Sequence, residues 1–317
     1  MSLSVQHLNT DATFLITFHL PSSGTTTLAD TTSKDGDFSI LLDPWLHSDA
    51  PVFHPRFSNQ LHTVKPAVNS LLEISSAPDL IIISQSKSDH CHEETLKEFD
   101  WSTHLGTRLY ACPDASSTIK GWKWFPSSRM TVFKKGESVR VAIPNAQHPE
   151  RPAWLELEFI PAKWPWEMPG LHSAIGIKYF FTEAFSTTKM ISTLFTPHGI
   201  PLSALRSWFS RLPGKKPQLT LLLHPFKHIY SFMGGEISSG FPAGLEICKA
   251  TDVGIWISTH DEVKVVEGFV SSHLTETTWD RGKVEADLAS AGVKNTVVKE
   301  LRVSENLLVG EGVVLNA

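Results

Sequence analysis

Three isoleucines running straight into a polar loop, Ile81-Ile82-Ile83-Ser84-Gln85-Ser86-Lys87-Ser88-Asp89-His90-Cys91-His92, constrain this chain more than any other stretch. The segment "DLIIIS" (Asp79 to Ser84) is a short apolar run, the pattern of a strand covered on both faces. After Asp89-His90, "CHEETLKEFD" reads as a helix with acidic residues early, where the helix dipole favours negative charge. A buried strand that passes through a tight loop into a helix belongs to a layered α/β fold. Loops leaving such a sheet edge are where ligands usually bind. Asp89 and His90 are consecutive, so a tight turn can aim a carboxylate and an imidazole at one point. The plainer alternative makes Asp89 a helix cap and His90 an ordinary loop residue.

The rest of the chain repeats the strand-then-helix theme twice. In the first half, "ATFLITFHL", "DFSILLD" and "TRLYACP" read as strands, with a short helix around "ASSTIKGW". "MTVFKKGESVRVAIP", "WLELEFIPA", "AIGIKYFFT" and "MISTLFTP" then predict a meander of four or five strands. In the second half, "PLSALRSWFSRL" has helical spacing behind a proline suited to a first turn. "QLTLLLHPF" and "VGIWISTH" are buried-type strands with a helix between them near "GLEICKA". An amphipathic helix "TWDRGKVEADLASAG" and a strand "TVVKELRVSE" close the pattern. The expected architecture is α/β, a four-layer αββα sandwich, with residues 1–317 as a single domain.

Composition narrows the function classes. A net charge of -5 gives no electrostatic reason to expect nucleic acid or an anionic membrane as partner. No apolar run reaches the roughly 20 residues of a membrane span. The N-terminus lacks the basic start and apolar block of a secretory signal. Cys91, Cys112 and Cys248 form no paired framework, which predicts a reducing, cytoplasmic setting. The 10 tryptophans outnumber 3 tyrosines, and several cluster in "GWKWFP" and "PAKWPWEMPG" as candidate pocket walls.

In order along residues 12–270, "LLDPWL", "SQSKSDHCH", "FIPAKWPW", "TLFTPHGI" and "WISTHDE" resemble the metallo-β-lactamase superfamily. The likeness is closest to its UlaG-like, phospholipase-D-type hydrolase branch and, within that, to a divergent fungal group. The resemblance implies a His-x-His-x-Asp-His loop that gives two ligands to each of two metal sites. Its leading histidines fall on Gln85 and Lys87, while the Asp-His pair stands as Asp89 and His90. A further first-site histidine falls on Trp164, the bridging aspartate on His198 and the final histidine on His260. All three first-site histidines are therefore replaced, and the second-site trio remains. An ammonium group offers no lone pair and repels a cation, and an amide oxygen is a weak ligand, which argues against a two-metal mechanism. What remains is one divalent ion, Zn²⁺ or Fe²⁺, held by Asp89, His90 and His260 with His198 as a fourth ligand.

Lys87 then stands where the first cation would sit. It could act as an electrostatic aid, a general base or a Schiff-base amine, and the sequence leaves these open. As candidates for substrate contact we take Gln85, Trp164, Trp166, His172 and His224, with His228 nearby. Asp43 is expected to organise its turn by bonding loop amides, and Cys91 and His92 to pack in the first helical turn. The leading expectation is a hydrolase-like enzyme acting on a small organic ester, lactone, amide or related carbonyl compound. The alternatives are a metal-independent lyase, isomerase or decarboxylase of secondary metabolism using Lys87 and the Asp-His cluster, and a non-catalytic protein that binds a small molecule or a protein partner. A small molecule is the expected partner; the oligomeric state is not legible.

Overall fold

The computed structural model describes residues 2–20, 37–52, 54–145, 150–162, 170–182, 188–232, 234–269, 273–310 and 314–316. Strands and helices are numbered along the chain. One sheet contains β1 (Ser2–His7), β2 (Phe14–His19), β3 (Phe38–Leu42), β6 (Leu80–Ile83), β7 (Arg108–Ala111), β8 (Met130–Val132), β20 (Asn306–Gly310) and β21 (Val314–Asn316). Its spatial order is β21-β20-β1-β2-β3-β6-β7-β8. The other contains β9 (Ser138–Ile143), β10 (Ala153–Pro161), β11 (Ser173–Thr182), β12 (Thr188–Phe195), β13 (Gln218–Leu223), β16 (Asp252–Ile257) and β19 (Val297–Lys299). Here the order is β19-β16-β13-β12-β11-β10-β9.

Side-chain alternation explains why these sheets face one another. Strands β1 and β2 bury every second residue, Leu3 and Val5 on one, Phe14, Ile16 and Phe18 on the other. Those side chains share one core with Leu157, Ile177 and Tyr179 of the second sheet, where Phe18 and Tyr179 rings lie 4.9 Å apart. Strand β6 is buried at all four positions, as its apolar run predicts, because α1 (Glu93–Glu98) and α2 (Pro113–Gly121) belong to the same core. On the outer face of the second sheet, α3 (Leu202–Phe209), α4 (Gly240–Ala250) and α5 (Arg281–Ser290) bury a separate apolar cluster around Trp208, Trp256 and Leu288. The result is the four-layer αββα arrangement.

Three features depart from the sequence reading. The expected meander is divided: β8 pairs parallel with β7 in the first sheet, whereas β9 to β12 form the antiparallel run of the second. Strands β1 and β20 pair antiparallel, bringing the two ends of the chain together. Two small sheets also flank the sandwich. One joins β4 (Ala50–Val52), β5 (Ser58–Leu61) and β17 (Val265–Glu267); the other joins β14 (His228–Ser231), β15 (Gly235–Ser239) and β18 (Leu274–Thr277). Their strands are three to five residues long, too short to give a strong period-two signal. Among the described residues no helix is long and apolar enough to cross a membrane.

Strands β3 and β6 run parallel, as do β12, β13 and β16. Their carboxyl ends release the loops that hold Asp43, Asp89, His90, His198 and His260. Helix α4 packs against β16 of the second sheet through a glycine contact. A Cβ on Gly244 would overlap the fully buried Trp256 ring. We expect Gly244→Ala to lower unfolding stability by about 1–3 kcal/mol despite alanine's better helix propensity, because overpacking outweighs that gain. Chemical denaturation measures this, and an unchanged or raised midpoint would show that the contact relaxes freely.

Candidate metal centre

Three histidines from distant loops meet at one point, each gripped by Nδ1. His90 leaves β6 in a turn whose amides, His90 N and Cys91 N, donate to the Lys87 carbonyl at 2.9 and 2.7 Å. The helix that follows is capped by His92, whose Nδ1 accepts from Thr95 N at 3.2 Å. Asp89 is therefore not the cap, and His92 and Cys91 precede the helix instead of packing in its first turn. His90 Nδ1 lies 2.8 Å from Asp43 Oδ2. Asp43 also accepts from Ser84 N at 2.7 Å and Ser84 Oγ at 2.5 Å. It does bond the loop amide, as expected, but it also orients an imidazole. His198, in the loop between β12 and α3, donates from Nδ1 to the Ile237 carbonyl at 2.8 Å. His260, after β16, places Nδ1 2.7 Å from Asp11 Oδ1, and its amide donates to the Asp11 carbonyl at 2.9 Å.

These anchors leave the Nε2 atoms facing inward with Asp89. His90 Nε2 lies 3.1 Å from His198 Nε2, and Asp89 Oδ2 lies 3.8 Å from His90 Nε2 and 3.9 Å from His260 Nε2. One donor atom from each of Asp89, His90, His198 and His260 falls within 4.8 Å of the others, and all four residues are buried. Ligands about 2.0–2.1 Å from a tetrahedral zinc would stand roughly 3.3 Å apart, so the cluster is slightly more open than a loaded site. With Nδ1 carrying the proton, His90 and His198 bring two lone pairs to 3.1 Å, which calls for a proton or a cation between them. The donor set fits a divalent ion, with a partner behind each imidazole.

The charges agree with that fit. Burial opposes charge on His90, but Asp89 and Asp43 outweigh it and hold its pKa above the ordinary value. Burial pushes His198 well below the usual imidazole range, reinforced by His260 and His90. His260 is also lowered by burial, although Asp11 opposes the shift. Asp89 stays ionised: burial works against it, but His90, Lys264 and His260 depress its pKa.

Lys264 and Asp11 are the groups that the sequence reading missed. Lys264 Nζ sits 2.9 Å from Asp11 Oδ2, 3.3 Å from Asp89 Oδ2 and 2.9 Å from Gln60 Oε1, over the Trp45 ring at 5.3 Å. Burial disfavours its charge, yet Asp11 and Asp89 more than compensate and raise its pKa. Lys264 is thus a cation in direct contact with Asp89, and Lys87 lines the cavity and a neighbouring cleft. A basic residue four positions after His260 was the available signal.

The cluster opens into a cavity of about 360 Å³ lined by Asp89, His198, His260, Lys264 and Lys87. Its apolar wall includes Val52, Phe57, Leu171, Ile229, Val266 and Leu274, largely from the two small sheets. Several expected substrate contacts lie elsewhere. Gln85 is fully buried off this wall, with both amide atoms unpaired. His172 is buried with its ring nitrogens 3.1 Å from the Gly199 and Glu236 carbonyls, and its neighbour Leu171 faces the cavity. His224 is fully buried, its Nε2 donating to the Gly240 carbonyl at 2.8 Å against Trp256. His228 is part-exposed and pairs with Glu236 at 3.2 Å. Trp164 and Trp166 lie outside the described residues.

Comparisons with known proteins agree with this architecture. Residues 28–152 match a family model described as a beta-lactamase superfamily domain. The chain is similar in structure to isothiocyanate hydrolase from Delia radicum gut bacteria, with a TM-score of 0.56 and 12% identity over 96% of this chain and 98% of that one. It is also similar to the metallo-β-lactamase fold protein YhfI of Bacillus subtilis (TM-score 0.50, 11% identity, 97% and 100% covered). A long form RNase Z from yeast gives a TM-score of 0.51 at 9% identity, over 96% of this chain and 41% of that one. No curated protein matches the chain. At these identities the likenesses define the fold, and the protein has the metallo-β-lactamase fold.

One measurement tests the site and a second tests the burial of His224. Asp43→Asn must set a donor against either Ser84 or His90, so we expect divalent-metal affinity to fall about 10- to 100-fold in chelator competition. Unchanged affinity would mean that Asp43 does not orient the ligand. Burial holds the His224 pKa down at about 4, so the folded protein resists a proton that the unfolded chain takes up near pH 6.5. That part of the stability is present above pH 6.5 and is lost as pH falls toward about 4, at about 1.4 kcal/mol per pH unit. His224→Phe should remove about one proton from the slope of unfolding free energy against pH in that window. An unchanged slope would refute the assignment.

Proposed function

We propose that this protein is a single-metal hydrolase acting on a small, largely apolar ester, lactone, amide or related carbonyl-type compound. One observation carries the reading: three anchored imidazoles and a carboxylate converge at one end of an apolar cavity of about 360 Å³. A cavity of that size and lining suits a compact organic molecule, with a few polar groups fixing its orientation. Zn²⁺ or Fe²⁺ held by Asp89, His90, His198 and His260 would supply Lewis acidity toward a carbonyl group and its attacking water. The chain's own residues do the remainder. Asp43, Asp11 and the Ile237 carbonyl fix the imidazole tautomers, while the Val52, Phe57 and Leu274 side chains hold the substrate's apolar body and exclude water.

The order of the sequence motifs supports placement in the UlaG-like branch, among divergent fungal-type members. Because the site draws on residues from Asp11 to Lys264, and β1 pairs with β20, we take residues 1–317 as one functional domain. Three free, buried cysteines are compatible with a reducing cytoplasm. The fold shared with an isothiocyanate hydrolase adds electrophilic heterocumulenes to the compounds worth screening. An aromatic or polyketide-like acyl compound of secondary metabolism suits the apolar wall better than a sugar phosphate.

A second reading rests on the closed charge network. Lys264 bonds Asp89 and His90 Nε2 faces His198 Nε2, a set of proton donors and acceptors able to support metal-independent acid–base chemistry. Elemental analysis separates the two. Protein purified without chelators should carry about one divalent metal per chain, and Asp89→Ala and His260→Ala should each lose it. Metal-free wild-type protein with chelator-resistant activity would overturn the hydrolase mechanism.

A further inference from the structure

We propose that Lys264 is a fixed counter-charge that sets how many divalent ions the cluster accepts and how tightly it holds them. This rests on the metal reading above.

The donor inventory rules out a more familiar role. An ammonium group has three N–H donors. Those of Lys264 face Asp11 Oδ2 at 2.9 Å, Gln60 Oε1 at 2.9 Å and Asp89 Oδ2 at 3.3 Å. No donor is left for a substrate oxyanion, so its influence reaches the reaction through its charge and through Asp89.

Charge balance gives that influence a direction. The four ligand residues, their anchors and Lys264 contain three buried carboxylates, Asp11, Asp43 and Asp89, against one ammonium; the buried Glu262 beyond them pairs with His62 at 2.7 Å, and Lys87 and Lys227 line the cavity outside this group. With neutral imidazoles, the buried group carries two negative charges in excess. One divalent ion neutralises it, and a second would leave the interior with the same excess of positive charge. In a low-dielectric interior such an imbalance is strongly disfavoured. Without Lys264 the excess would be three negative charges, and one divalent ion would leave the site under-neutralised. Lys264 also shares Asp89 Oδ2, the oxygen nearest both His90 Nε2 and His260 Nε2, so it competes with an incoming ion for that ligand.

Compensating substitutions test the proposal. Lys264→Gln removes the positive charge and Asp11→Asn removes a negative one; the double variant restores the wild-type net charge with a neutral pair. Zn²⁺ and Co²⁺ binding would be titrated against a chromophoric chelator, with stoichiometry by elemental analysis and folding by circular dichroism. Wild type should bind one ion. Lys264→Gln should bind about tenfold tighter or more, or take up additional metal, whereas Asp11→Asn should bind more weakly by a similar factor. The double variant and Lys264→Arg should return to near wild-type affinity and one equivalent. If every variant binds more weakly, Lys264 only positions ligands and the counter-charge role is overturned. If wild type binds no divalent ion, the metal reading fails and this proposal fails with it. The double variant keeps the test decisive should a single substitution unfold the protein.

Discussion

The grip on each imidazole at Nδ1 is the interaction on which the rest of the site depends. A histidine ring free to rotate presents either nitrogen to either side, and three such rings would not converge. Asp43 fixes His90, Asp11 fixes His260 and the Ile237 carbonyl fixes His198. Each anchor comes from a different part of the sandwich: the end of β3, the turn between β1 and β2, and β15 in a flanking sheet. The metal-type geometry is thus a consequence of the two sheets packing in register and of the small sheet docking beside them.

Burying this much charge works against folding unless each group is paired. The pairing is nearly closed here, because Lys264 joins Asp11 to Asp89 and His90 joins Asp43 to His198. Backbone strain accompanies it. Asp43 (φ +40°) and His260 (φ +58°) both occupy left-handed conformations that non-glycine residues rarely adopt. Both are held by the network: Asp43 by the Ser84 amide and hydroxyl, and His260 by its own amide bonded to Asp11. Of the five described non-glycine residues with positive φ, these two belong to the cluster, one as an anchor and one as a candidate ligand, which fits a region shaped for binding at some cost in stability.

Much of the fold was legible because its signals are local. The Ile81–Ile83 run identified a doubly covered strand, and "ALRSWF" a helix, since periodicity reports burial directly. The division between β8 and β9 was not legible. The five residues between them, Phe133 to Glu137, read the same whether the chain stays in one sheet or crosses to the other. At the site, Asp89 and His90 announced themselves by adjacency, whereas His198 and His260 were placed by family likeness. Asp11 was missed because "LNTDAT" reads as an ordinary turn, and its complete burial comes from packing against the end of β16, far along the chain. Lys264 was missed because a loop lysine is solvated by default; only Asp11, Asp89 and Gln60 together make its burial tolerable.

Anomalous diffraction at a metal absorption edge, from crystals of protein purified without chelators, tests the convergence itself. The predicted result is a single peak within bonding distance of Nε2 of His90, His198 and His260 and of the Asp89 carboxylate, with Lys264 retaining Asp11. A peak elsewhere, two peaks in the cluster, or imidazoles turned away from one another would contradict it.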